Sequence, residues 1–404
     1  MKSDLTVQFG FLPPWPLEAA PSLWLAVALI AAVLAGELFA RTAWLPRMSG
    51  YILTGLVVGP GMLAVTGGSP IADWRLVVEL ALGILLFELG TLVNLRWLGS
   101  NRWLVVSSLL EAGLSFGAVF LILRHFGTPS AIAATAATIT IATSPSVVVR
   151  IAAELRARGQ VTDRLMLHTA LNSIYAAVGV NLMAGVLHHE FRGSTLEAVL
   201  YPVYLLCGSV LVGTSFAIVF RRVERWLGNH EEVLSFLLLG MIALTVSVSA
   251  TLKVPPLLPL LLAGIVVRHI RGRPLVYPPH FGSAGAVLII VMFVVSGMSV
   301  PLEQLMQGAV VAGSLVLGRF LAKLVGVLAI AGPSGASWRQ ATALGVGLAP
   351  MSGVALLLTL DTARLFPEFG AAVESALLGS IVMLELAGPV MTFAALRLAG
   401  EANQ

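Results

Sequence analysis

Apolar runs long enough to cross the roughly 30 Å hydrocarbon layer of a bilayer recur near residues 22–41, 48–68, 74–93, 103–123, 129–153, 163–187, 195–219, 232–251, 255–270, 282–300, 304–331, 338–360 and 368–398. Short polar loops separate them. This pattern predicts an all-α polytopic membrane protein of about 13 transmembrane helices. Two runs are broken at their centres. AATAATITIATSPSVVVRIAAEL holds Thr143-Ser144-Pro145, and ATALGVGLAPMSGVALLLTL holds Pro350-Met351-Ser352-Gly353. A helix interrupted at membrane depth frees backbone groups that lipid cannot satisfy, so it belongs inside protein or beside a polar cavity. Two such breaks in corresponding halves predict inverted repeats with two crossing broken helices around a midplane site.

Composition agrees with this reading. The 404 residues are 58% hydrophobic and 11% charged, against roughly 25% charged in a soluble domain. The lone Cys207 excludes an internal disulfide or a cysteine metal cluster. The seven histidines form no HExxH pattern, and Gly59-Pro60-Gly61 lacks the Lys-Ser/Thr end of a phosphate loop. No metal site is expected beyond one for a transported ion, and no cofactor. No Ser/His/Asp set suits an enzyme. The net charge of +4 reflects loop arginines rather than nucleic-acid binding. Counted by loop, 16 of the 24 Lys and Arg fall on one side and six on the other. That bias predicts the N-terminus outside and the C-terminus in the cytoplasm of a bacterial inner membrane. Residues 1–21, with Lys2, Asp4 and FLPPWP, do not read as a signal peptide.

Polar groups within the spans are the candidate chemistry, because ionisable side chains in hydrocarbon are expensive. They are Glu88, Glu111, Arg319, Lys323 and Glu385, with the neutral groups Thr143, Ser144, Asn172, Ser173 and Ser352. Arg319 and Lys323 share a helix face, four residues apart. Arg319 requires an acidic or carbonyl partner. Glu111 is expected either to take part in coupling or to pair with one of these two cations.

Several motifs together resemble the monovalent cation/proton antiporter superfamily, in its Kef-type and sodium/proton exchanger branch. Residues 50–60 (GYILTGLVVGP) are similar to its early GYxLxGxxxGP motif, and Leu86–Gly90 to its LFxxGL segment. Ala142–Pro145 resembles its first broken helix, Leu262–Gly264 its FxAG segment, Phe293–Met298 its FFxxxGM segment, and Leu348–Gly353 its LxPRGE region. Arg319 or Lys323 aligns with the basic residue of the transport core. The resemblance implies a homodimer in a lipid bilayer that exchanges a small monovalent cation, Na+ or K+, for protons by alternating access. It also implies a mobile core (101–190 and 304–399), a panel (22–100), a linker with further panel spans (191–303), an outer N-terminal segment (1–21) and a short tail (400–404). The chain departs from the family pattern at Asn172-Ser173, an atypical pair where the family carries Asn-Asp or Asp-Asp. Neutral oxygens there can ligate a cation but cannot trade a proton. Met351 and Val354 likewise depart from the second motif. Three readings stay open: a relocated carboxylate restores coupling, the ion or another solute moves without proton exchange, or the chain is a non-transporting scaffold or regulator.

Overall fold

The computed structural model describes residues 21–42, 45–66, 70–192, 195–228, 231–271, 279–298, 309–351, 353–365 and 367–402. Ser352 and the N-terminal segment up to residue 20 lie outside the described residues. Sixteen helices and no strand occur among the described residues. They are α1 (Pro21–Ala40), α2 (Arg47–Thr66), α3 (Pro70–Leu92), α4 (Leu95–Ser100), α5 (Arg102–His125), α6 (Ser130–Ile139), α7 (Pro145–Glu154), α8 (Gln160–Arg192), α9 (Thr195–Leu227), α10 (Glu231–Thr251), α11 (Leu257–Arg271), α12 (Pro279–Met298), α13 (Ala309–Ala329), α14 (Trp338–Gly347), α15 (Gly353–Leu365) and α16 (Pro367–Ala399).

The count of thirteen spans is corrected. Among the described residues, seven helices are long and apolar enough to cross a membrane: Leu23–Ala40, Arg102–His125, Gln160–Leu187, Leu196–Leu227, Val233–Thr251, Ala309–Ala329 and Leu377–Ala399. The reason is physical. The run at 129–153 divides into α6 and α7, ten residues each, and each half reaches only about 15 Å at 1.5 Å per residue. The run at 338–360 divides likewise into α14 and α15. The run at 255–270 yields a 15-residue helix. That at 282–300 contributes an apolar helix only over Gly285–Met298. α3 carries Asp73, Arg75, Glu79 and Glu88 along its length, too many charges for a simple span. The run at 48–68 extends past Thr66 into residues that are not described.

Local sequence explains the half-helices. Pro145 occupies the first turn of α7, where its missing N–H is harmless. Ser144 caps that helix, its Oγ accepting from the Val147 N–H at 3.4 Å. α14 opens with a reciprocal capping box: Ser337 Oγ accepts from Gln340 N–H at 3.2 Å, and Gln340 Oε1 accepts from Ser337 N–H at 2.9 Å.

Long helices pack through small residues, as lipid-embedded helices do. The most extensive pairing is α5 with α13, and α3 with α11 is similar. On the latter, the glycines of two sequence motifs face one another. A Cβ on Gly264 would stand 2.9 Å from Gly90 Cα and 3.0 Å from Thr91 N. Gly264→Leu therefore forces α3 and α11 apart. A loss of about 1–3 kcal/mol is expected, read as lower thermal stability in detergent. Wild-type stability in that variant would show that the two backbones are not in contact.

Candidate functional site

The site begins with the carbonyls that the breaks set free. After α6, residues 140–142 unwind, and after α14, residues 348–350 do the same. The two breaks touch directly. Ser144 N–H donates to Pro350 O at 3.0 Å, and Thr143 Oγ donates to Leu348 O at 3.3 Å.

Two cations from α13 close the remaining gaps. The Arg319 guanidinium donates through Nε to Thr140 O at 2.7 Å, through Nη2 to Ala142 O at 2.7 Å, and through Nη1 to Ala349 O at 2.6 Å. Lys323 Nζ donates to the intervening Ile141 O at 3.1 Å. Three successive carbonyls of the first break, and one of the second, are thus satisfied by α13. The negative ends of α6 and α14 favour positive charge at this place. Both cations are buried, with Arg319 1% exposed and Lys323 fully enclosed. Unpaired charges at such depth would be costly.

Among the described residues, one negative charge lies in this cluster, and it is shared. Glu111 of α5 accepts from Lys323 Nζ through Oε2 at 2.8 Å and from Asn172 Nδ2 of α8 through Oε1 at 2.5 Å. The Thr143 hydroxyl oxygen accepts from Asn172 Nδ2 at 3.1 Å and from Lys323 Nζ at 3.3 Å. Close packing holds Glu111 there, because Gly326 lies directly against its backbone; a Cβ on Gly326 would stand 2.5 Å from Glu111 Cα. The Asn172 side-chain oxygen is buried without a hydrogen-bond partner.

Of the residues singled out in the sequence, Thr143, Asn172, Glu111, Arg319 and Lys323 converge in this cluster. Ser144 sits at its edge, capping α7. Ser173 is buried but turns to its own helix, its Oγ donating to Thr169 O at 2.8 Å. Glu385 of α16 is elsewhere. It accepts from Ser296 Oγ of α12 at 2.6 Å in a cavity shared with Val78, Met292, Gly353 and Leu356. Glu88 of α3 is also separate, in the field of Arg150 on α7. His168 was not singled out by the sequence. It is fully buried, and its Nδ1 lies 3.7 Å from Glu111 Oε1. Its spacing of four from Asn172, on one face of α8, was the available signal.

Geometry of this kind, with paired interrupted helices around buried charge in an all-helical chain, belongs to multi-pass membrane transporters. The sodium/hydrogen exchanger transmembrane family matches residues 25–397, and the chain belongs to that family of secondary cation/proton antiporters. It is a transporter rather than an enzyme, and the described residues contain no cluster of three or more potential metal ligands. No curated protein sequence matches it significantly. Its fold resembles that of the sodium proton antiporter MjNhaP1 from Methanocaldococcus jannaschii. At pH 8 that structure aligns with TM-score 0.67 and 18% identity, over 94% of this chain and 95% of the other. An electron-microscopy structure of the same antiporter gives TM-score 0.72 and 17% identity, over 94% and 98%.

Proposed function

We propose that the chain exchanges a monovalent cation, Na+ or K+, for protons by alternating access. The observation that supports this most is the unpartnered Asn172 oxygen, buried where two interrupted helices meet around Glu111, Lys323 and Arg319. Buried polar groups ordinarily find partners. A buried oxygen left open suits a dehydrated small cation, and by resemblance Asn172 and Ser173 match the family's Asn-Asp or Asp-Asp pair. Residues 101–190 and 304–399 form the moving core in this reading, and 22–100 with 191–303 form the panel through which two copies associate. Glu385 and Ser296 lie on opposite sides of that boundary. So do Arg75 and Asp361, joined at 2.7 Å, and such contacts must exchange as the core moves. Glu385 is then a carboxylate at the moving boundary and a candidate for coupling; Glu88 with Arg150 is a second charged pair across it.

The test is a proteoliposome assay with an internal pH dye, an imposed pH gradient and a panel of monovalent cations. Na+ or K+ should dissipate the gradient. Asn172→Ala should weaken apparent cation affinity by about tenfold or more, and Glu385→Gln should abolish cation-dependent proton flux. Correctly folded wild type that moves no protons in response to any cation would falsify the exchange reading and favour uncoupled transport.

A further inference from the structure

α9 and α11 end side by side, and arginines crowd the place where they do. The final turns carry Arg221, Arg222 and Arg225 on α9 and Arg268 and Arg271 on α11. Phe220 and Val267 are fully buried in one apolar cluster, so the residues that follow them, Arg221 and Arg268, lie at the same end of that packing. One carboxylate ties the two helices there. Glu224 accepts from Arg221 Nη1 through Oε2 and from Arg271 Nη2 through Oε1, the latter at 3.0 Å. Arg268 is three residues from Arg271, on one face of α11, and no ion pair reaches it among the described residues. Arg268 Nη1 and Arg221 Nε are each enclosed without a hydrogen-bond acceptor.

Helix C-termini favour positive charge, which accounts for arginine at this place. It does not account for guanidinium N–H groups held without an acceptor, because buried donors ordinarily find one. Phosphate oxygens are the acceptors that a guanidinium fork fits best. We propose that the ends of α9 and α11 form a binding site for the phosphate of an acidic phospholipid. The site is independent of the ion that is exchanged. Neither arginine is sealed in. Arg221 has 21% of its side chain exposed and Arg268 is half-buried, so a rotation of each guanidinium turns the open N–H groups toward a headgroup.

The surroundings select a lipid. Trp226 is 83% exposed and Ile270 48%, leaving apolar surface beside the charges, and tryptophan suits the headgroup layer of a bilayer. Basic clusters at the ends of membrane helices draw acidic lipids. Residues 221–232 and 268–273 together hold six arginines and three glutamates. That surplus disfavours a zwitterionic headgroup, whose own cation would face arginine. Glu224 uses both oxygens to hold Arg221 and Arg271, which fixes the two helix ends in register and leaves Arg268 for the ligand.

The experiment titrates phosphatidylglycerol or phosphatidylcholine into purified protein in mild detergent and counts bound lipid by native mass spectrometry. Wild type should hold phosphatidylglycerol at least about tenfold more tightly than phosphatidylcholine. Arg268→Gln keeps Glu224 paired, and should weaken phosphatidylglycerol binding about tenfold or more through the loss of charge-assisted hydrogen bonds. Arg222→Gln removes the same charge from an exposed position beside Arg221 and should cost several times less. Equal losses in the two variants overturn the site by reducing the effect to surface charge, and equal binding of the two lipids by wild type overturns it as well. Inorganic phosphate that displaces phosphatidylglycerol better than chloride of equal ionic strength overturns the lipid assignment in favour of a soluble anion. Should Arg268→Gln fail to fold, amide hydrogen exchange of wild type decides. Phosphatidylglycerol, and not phosphatidylcholine, should slow exchange over residues 221–227 and 268–271, and unchanged exchange there overturns the proposal.

Discussion

Arg319→Ala removes transport and most of the stability of the region where the breaks meet. The guanidinium satisfies Thr140 O, Ala142 O and Ala349 O, all at 2.6–2.7 Å. These carbonyls have no helical continuation to return to. Each stranded buried acceptor costs about 1–3 kcal/mol, so a loss on the order of 3–5 kcal/mol is expected. Arg319→Lys should not rescue it. An ammonium lacks the planar fork that reaches across two breaks at once. Thermal unfolding in detergent and proteoliposome flux check both statements. Arg319→Ala should also be more damaging than Lys323→Ala, because Arg319 is the residue that ties the first break to the second. Normal melting and normal flux in the alanine variant would show that the breaks are held by something else.

The second large effect is non-additive. Glu111 and Lys323 are both fully enclosed and 2.8 Å apart. Removing either one leaves the other charge uncompensated, a change that typically costs about 3–5 kcal/mol. Glu111→Gln and Lys323→Met are each expected to lower stability by that order, whereas the double variant should recover much of the loss. A double-mutant cycle reads the coupling directly. Strict additivity would mean the pair does not interact in the folded protein. The same double variant should still fail to transport, because the carboxylate next to Asn172 and His168 is gone. Recovered stability with absent flux would separate the pair's part in holding the core from its part in handling ions.

Much of this was legible in the chain. The breaks announce themselves through Pro145 and Pro350, because proline within an apolar run interrupts helical bonding and releases carbonyls. The need of Arg319 for a partner follows from its depth. The motif glycines Gly90 and Gly264 carry the family resemblance and are also where two helix backbones touch. Sequence alone left two partners open for Glu111, and the structure chooses Lys323. It assigns Arg319 to carbonyls instead of an acid. Glu385 reads from the sequence, with Glu111 and Glu88, as a carboxylate that could restore coupling. The structure shows it buried against Ser296 of α12, apart from the meeting point of the breaks. The number of spans misled for a related reason. Hydropathy counts apolar residues along a window, and a half-helix followed by another half-helix gives the same sum as one continuous crossing. The local signal for His168 is weak, a spacing of four from Asn172 on one face of α8, and its nearness to Glu111 belongs to the tertiary structure.

Local interactions determined what the chain could declare by itself: helices throughout, burial in lipid, two interruptions and the family to which it belongs. These follow from the backbone's need for internal hydrogen bonds in hydrocarbon, a demand met residue by residue. Tertiary structure decided which charges meet. Asn172 reaches Glu111 across 61 residues and Thr143 reaches Leu348 across 205. Contacts of that range depend on how helices pack, and periodicity along a single helix holds no record of its neighbours.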